Sequence, residues 1–256
     1  METQALHALL LSVGAGLSTL LGALIVIFVK GPSEKLVTGS LGFAAGVMLS
    51  VSFLDMFPEA IKALSAATND KLGVVLTVAA LIVGVLVGAL LDKLVPHEKD
   101  EHDEKSHGNM YRLGMMSMLA IAVHNFPEGI ATFAAGLSDV ALGATIALAI
   151  ALHNIPEGIS VAMPVYFATG SRKKAFFYAF ISGISEPVGA VLAYFLLMPF
   201  LSDMLLGFLF AFVAGIMLHI AIEELIPASR QYGYTRLALF MTFAGICLMP
   251  LTHIIG

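Results

Sequence analysis

Eight long apolar stretches, parted by short polar interruptions, run the length of the chain at roughly 5–29, 36–58, 73–95, 113–136, 141–167, 175–199, 205–228 and 237–255. Each is close to the ~20 residues that a helix needs to cross the hydrocarbon of a bilayer. The pattern predicts an all-α integral membrane protein with eight transmembrane helices. Gly31 and Pro32 break the first two apart. The one long polar connection, 96–112, follows the third. A very short turn near Gly136 to Asp139 joins the fourth and fifth, so these two should pack as an antiparallel hairpin. Gly170 to Lys174 separates the fifth from the sixth. Residues 1–256 read as a single transmembrane domain.

Two of these stretches carry the same polar insertion. His124-Asn125-Phe126-Pro127-Glu128-Gly129 lies in the fourth and His153-Asn154-Ile155-Pro156-Glu157-Gly158 in the fifth, 29 positions later. Ionisable groups within a membrane span are costly and mark function. On a helix, residues four apart share a face, so His124 pairs with Glu128 and His153 with Glu157. Two such helices packed antiparallel would gather two imidazoles, two carboxylates and two amides at one point. That donor set suits a divalent transition metal such as zinc or iron better than calcium or magnesium. Pro127 and Pro156 also free the carbonyls of Val123 and Leu152. In lipid, such a group must find protein, water or an ion. A hydrogen bond between helices would account for one such pair; two matching copies point to a bound cation.

A longer repeat runs beneath this one. Ala45-Gly46-Val47-Met48-Leu49 of the second span returns as Ala214-Gly215-Ile216-Met217-Leu218 of the seventh, an offset of 169 that also pairs Asp55 with Glu224 and Pro58 with Pro227. At an offset of 167, Gly16, Ser18, Gly22 and Ala23 match Gly183, Ser185, Gly189 and Ala190. Five spans separate the paired helices, an odd number, so the two copies must be inverted. The expected arrangement is 3+2+3: three spans, the motif-bearing hairpin, and three inverted spans. Inverted repeats with broken helices near the midplane are a signature of secondary transporters.

Composition agrees with a membrane location: 59% of residues are hydrophobic and 12% charged, with mean hydropathy +0.93. One cysteine, Cys247, excludes an intramolecular disulfide or a cysteine-built metal site. No cleavable signal peptide is expected, because Met1 to His7 lacks a basic segment. The net charge of −5 matters less than its sidedness. Lys30, Lys35, Lys93, Lys99, Lys105, Arg112, Arg172, Lys173, Lys174, Arg230 and Arg236 fall on one side, against Lys62 and Lys71 on the other. By the positive-inside rule the first side is cytoplasmic and both termini are extracytoplasmic. The localisation expected is the plasma or inner membrane, multi-pass, with the lipid bilayer and divalent metal ions as partners and no nucleic acid.

Further acids lie along the implied path. Asp55 and Glu59 sit near the outer end of the second span and read as an entrance. His219, Glu223 and Glu224 sit toward the inner end of the seventh and read as an exit, with Glu223 about a turn inside the apolar run. Glu186, mid-span in the sixth and directly before Pro187, reads as a further ligand beside the two His/Glu faces. Met48 offers a soft thioether in the second span. The acid-rich connection holds His97, His102 and His107, a composition that binds metal weakly or serves as a solvated charge run.

The paired His-Asn-x-Pro-Glu-Gly motifs on adjacent spans resemble the ZIP (Zrt-, Irt-like) family of metal transporters, and Leu41-Gly42-Phe43-Ala44-Ala45-Gly46 and the His-bearing connection extend the resemblance over essentially the whole chain. The resemblance implies uptake of divalent cations into the cytoplasm, zinc first, with iron, manganese, cobalt and cadmium as alternatives and no cofactor. Carried over by position, it implies a two-metal centre of His124, Asn125, Glu128, His153, Asn154, Glu157 and Glu186, with Glu128 and Glu157 bridging. Met48 matches a second-span methionine that contacts metal in some members. The family also implies a moving bundle that contains the fourth and fifth helices, and frequent homodimers. Two other readings compete. A metal-selective channel could use the same ligands. An intramembrane zinc hydrolase would need water activated on the metal, but no His-Glu-x-x-His is present.

Overall fold

The structure is a computed structural model that describes residues 2–29, 33–94, 105–197 and 202–252. All described regular structure is helical: α1 (Glu2–Phe28), α2 (Glu34–Val51), α3 (Phe57–Ala67), α4 (Asp70–Leu94), α5 (Lys105–Ser138), α6 (Val140–Thr169), α7 (Arg172–Leu192), α8 (Asp203–His219), α9 (Ile226–Arg230) and α10 (Thr235–Thr252). Among the described residues three π turns occur, at Ser52–Met56, Ala193–Leu197 and Ile220–Leu225. The first joins α2 to α3 and the last joins α8 to α9, so the described residues form eight rods in the expected order.

Local chemistry sets the breaks. Ser33, Ser171 and Ser202 cap the starts of α2, α7 and α8, each side-chain oxygen accepting from the backbone N–H three residues on. Gly170 (φ +62°) ends α6 and Gly233 (φ +81°) makes the turn before α10, both in the left-handed region where glycine is unstrained. Only Asp139 separates α5 from α6. Pro58 and Pro227 cannot donate to the preceding turn, and each follows a widened π turn that absorbs the missing bond. One boundary differs from expectation. The polar connection does not extend to Arg112, because α5 already begins at Lys105 and carries a turn and a half of polar residues before its apolar run.

Six rods are long and apolar enough to cross a membrane. The other two fall short for visible reasons: α5 is diluted by its motif and basic start, and α10 is short. The exterior is apolar, with Leu86, Val75 and Phe240 more than 60% exposed, while His124, Asn125, Asn154, Glu157 and Glu186 are fully buried. Greasy outside and polar inside is the arrangement of a protein solvated by lipid.

The rods sort into two bundles. One contains α1, α5, α6 and α7; the other contains α2 with α3, α4, α8 with α9, and α10. Packing obeys the inverted repeat, and the small residues show it. A Cβ on Gly16 would lie 2.5 Å from the carbonyl oxygen of Gly183, and one on Gly183 would lie 2.5 Å from that of Gly16. An added Cβ on Gly22 would likewise lie 2.1 Å from the carbonyl oxygen of Ile155 and one on Gly189 2.1 Å from that of Phe126, while one on Gly46 would lie 2.0 Å from that of Thr242 and one on Gly215 2.1 Å from that of Leu81. The exchange relates the first three rods to the last three and α5 to α6. The motif hairpin therefore lies on the pseudo-two-fold axis.

Candidate metal centre

The two motif histidines and both motif acids converge. His153 Nε2 lies 3.0 Å from Glu128 Oε1. His124 Nε2 lies 3.2 Å from the same oxygen and 3.4 Å from Glu157 Oε1. The ligating atoms of His124, Glu128 and His153 all fall within 4.8 Å of one another. Around a tetrahedral zinc with bonds of about 2.1 Å, neighbouring ligand atoms are about 3.4 Å apart. His124, Glu128 and His153 thus already stand near ligand separations, and Glu157 joins them through His124. The two imidazole centroids are 6.1 Å apart.

The rest of the lining is arranged in symmetric pairs. Asn125 Nδ2 donates to the carbonyl of Ser182 (3.1 Å), and Asn154 Nδ2 donates to the carbonyl of Ala15 (3.0 Å). Ser182 and Ala15 are themselves 167 positions apart, and each carbonyl also accepts from a serine three residues on, Ser185 and Ser18, at 2.6 Å. These bonds fix both amides by their nitrogens. Their oxygens, Asn125 Oδ1 and Asn154 Oδ1, are buried without a hydrogen-bond partner among the described residues, as are Glu128 Oε2, Glu157 Oε2 and Glu186 Oε1. Five orphaned buried acceptors in one place fit a cation, since leaving such groups unpaired costs ~1–3 kcal/mol each.

One element breaks the symmetry. The offset of 167 sets Glu186 on α7 against Thr19 on α1. Asn154 Nδ2 also donates to Glu186 Oε2 (2.9 Å), which ties this third carboxylate to the motif hairpin. The hydroxyl of Thr19 is buried without a partner. The cluster is therefore one-sided, with Glu186 on the α7 side.

The glycine that ends each motif has a role that the donor pattern did not reveal. A Cβ on Gly129 would lie 1.8 Å from the carbonyl oxygen of Glu186, and one on Gly158 would lie 1.9 Å from that of Thr19. Bare backbone at these two positions lets α5 and α6 approach α7 and α1 closely enough for Glu186 to join the cluster. Identical placement of the two glycines after Glu128 and Glu157 was the available signal.

The other sequence candidates are distributed as follows. Met48 is fully buried within the main apolar core, among Val47, Val51 and Met217. Asp55 is half-buried in the first π turn. Glu59 is exposed and pairs with Lys62 at 3.2 Å. Glu223 is exposed, and Glu224 is the one turned inward, 3.5 Å from Arg112. The π turn sets which of the two turns inward, because its extra residue per turn departs from ordinary helical phase. His219 is half-buried beside Gly88, its Nε2 without a partner among the described residues. His97 and His102 lie outside the described residues. His107 lies in the first turn of α5, but its side chain is outside the description.

Comparison with known proteins agrees with this architecture. The sequence profile described as ZIP Zinc transporter matches residues 4–114 and 96–252. The chain is 45% identical over 252 residues to the zinc transporter ZupT of Streptococcus mutans, covering 96% of each chain. It is 45% identical over 263 residues to that of Chlorobaculum parvum, covering 98% of each, and 44% identical over 260 residues to that of Nitratidesulfovibrio vulgaris, covering 94% of each. With a fold, an inverted repeat and a paired motif that agree along its whole length, the chain belongs to the ZIP zinc transporter family.

Proposed function

We propose that this protein carries divalent transition-metal cations into the cytoplasm, zinc first, with iron, manganese, cobalt and cadmium as further substrates. The observation that carries the reading is the buried group of His124, Glu128 and His153, whose ligand atoms lie within 4.8 Å of one another, with Glu157 3.4 Å from His124. In this reading the histidines and Glu128 hold one ion. Glu128 and Glu157 each turn one oxygen into that cluster and keep a second oxygen without a partner. Those free oxygens, with Asn125 Oδ1, Asn154 Oδ1 and Glu186 Oε1, would hold a second ion. Glu128 and Glu157 would then bridge.

Transport follows from where the cluster sits. Every ligand candidate on α5, α6 and α7 belongs to one bundle. Rocking that bundle against its partner would expose the cluster first to one face and then to the other, as inverted repeats permit. Half-buried Asp55 lies on the two-fold-related counterpart of the Glu224 position, so the approach and departure sides each have an acid near a π turn. The basic residues gathered on the Glu224 side favour that side as cytoplasmic.

Family membership places the protein among transporters rather than enzymes, which removes the hydrolase reading. The remaining rival is a channel, because the same ligands would serve either. Zinc flux into proteoliposomes, followed with an entrapped fluorescent chelator over a wide concentration range, separates the two. A rate that saturates supports the carrier; a rate that stays proportional to zinc supports the channel.

A further inference from the structure

At one end of α5, twelve residues and just over three turns before His124, Arg112 leaves its own bundle. Its Nη2 donates to the carboxylate of Asp92 and, at 2.7 Å, to the carbonyl of the same residue on α4. Its Nη1 lies 3.5 Å from Glu224 Oε1 in the π turn between α8 and α9. The preceding residue, Tyr111, shares a hydroxyl–hydroxyl hydrogen bond of 2.5 Å with Tyr178 of α7. This end of α5 is thus fastened to its own bundle through Tyr111 and to the opposite bundle through Arg112.

We propose that Arg112 is a latch between the bundles, and that the Asp92–Arg112–Glu224 ion pairs must break and re-form in each transport cycle. The proposal rests on the reading of the protein as a carrier whose bundles move against each other. Two features make the contact strong enough to matter. The Arg112 side chain is only 13% exposed, so its pairs are poorly screened by water. The planar guanidinium reaches Asp92 and Glu224 at once, which a lysine ammonium cannot reproduce. Arginine also stays charged at any working pH, so the latch does not open by proton loss from Arg112. Anchoring to both α4 and the π turn after α8 uses two elements of the second bundle, which cross closely where Gly88 meets His219. Breaking the pairs strips a buried guanidinium and two carboxylates of partners, and this weights the equilibrium toward the latched state.

The test reads bundle separation directly. Spin labels are placed at Phe177 on α7 and Leu90 on α4, both more than half exposed on the same side as Arg112, in a Cys247→Ser background, and distances are measured by pulsed electron resonance. The latched distance should dominate in the parent. Arg112→Gln should move the ratio of the two distance populations about tenfold away from it, the scale set by losing a charge-assisted hydrogen-bond pair. Arg112→Lys should fall between, and Glu224→Gln should shift the ratio in the same direction from the other bundle. The reversed pair Asp92→Arg with Arg112→Asp should restore the parent distribution only in part, because it re-forms the contact to α4 and not the one to Glu224. Should Arg112→Gln fail to insert, Glu224→Gln carries the same test. A distribution in either Gln variant that superimposes on the parent's overturns the latch. Because distances are read without metal flux, a population shift in a protein that moves no zinc would overturn the transport reading, and with it the latch's place in a transport cycle, while leaving Arg112 as a contact that holds the bundles together.

Discussion

Replacing Gly129 with alanine adds a single methyl group, and its consequence can be worked from the coordinates. The new Cβ would lie 1.8 Å from the carbonyl oxygen of Glu186, whereas ordinary contact begins at 3.4 Å. The α5 and α7 backbones must therefore separate by about 1.6 Å. Neither partner is a flexible side chain, so the strain falls on helix positions and should cost about 1–3 kcal/mol. The displacement matters more than the strain. Metal–ligand distances tolerate about 0.2 Å, so an opening several times larger withdraws Glu186 from the hairpin and stretches its 2.9 Å bond from Asn154. Loss of one supporting partner of a metal site commonly costs about 10–100-fold in affinity, and the same range is expected here. The assay is competitive zinc titration of purified protein against a chromophoric chelator, with initial uptake rates in vesicles beside it. Gly14→Ala serves as the control, since nothing lies within 4 Å of its added Cβ. Zinc affinity and uptake in Gly129→Ala matching the parent, or equal damage from Gly14→Ala, would refute the reasoning.

Other perturbations separate the groups of the site. Asn154→Ala removes the donor to Glu186 and should weaken zinc binding by about tenfold or more, with a lower melting temperature from the unpaired buried carboxylate; an unchanged titration would deny Glu186 its place. Asp55→Asn should slow uptake at limiting zinc and leave the saturated rate near that of the parent, which a concentration series distinguishes. Glu59→Gln should change neither, because its exposed carboxylate is already paired with Lys62, a contact worth at most about 1 kcal/mol; a loss of uptake would support the entrance role for Glu59.

Much of this architecture was legible before any coordinates. Apolar length marked the rods, and glycine, proline and capping serine marked their ends. The offsets of 167 and 169 anticipated the inverted repeat down to the pairing of Gly16 with Gly183. Spacing of four placed His124 on the face of Glu128 and His153 on that of Glu157, and the antiparallel hairpin did the rest. What the sequence hid were contacts between distant elements and departures from ordinary helical phase. Asp92, Arg112 and Glu224 come from three rods, and nothing in their neighbourhoods announces that they meet; Arg112 read simply as a charge that sets topology. Ordinary helical phase does not say which of Glu223 and Glu224 turns inward; in the π turn at Ile220–Leu225 it is Glu224. The motif glycines, which carry no donor, are the points where two pairs of backbones touch.

The measurement closest to the central claim is zinc uptake into proteoliposomes that hold equal amounts of the parent protein and Glu128→Ala, the acid whose one oxygen meets both histidines. The account predicts saturable uptake by the parent and none above background by the variant, with both proteins inserted to the same extent. Near-parental uptake by Glu128→Ala would contradict it, because a path that works without that carboxylate does not run through the paired motifs.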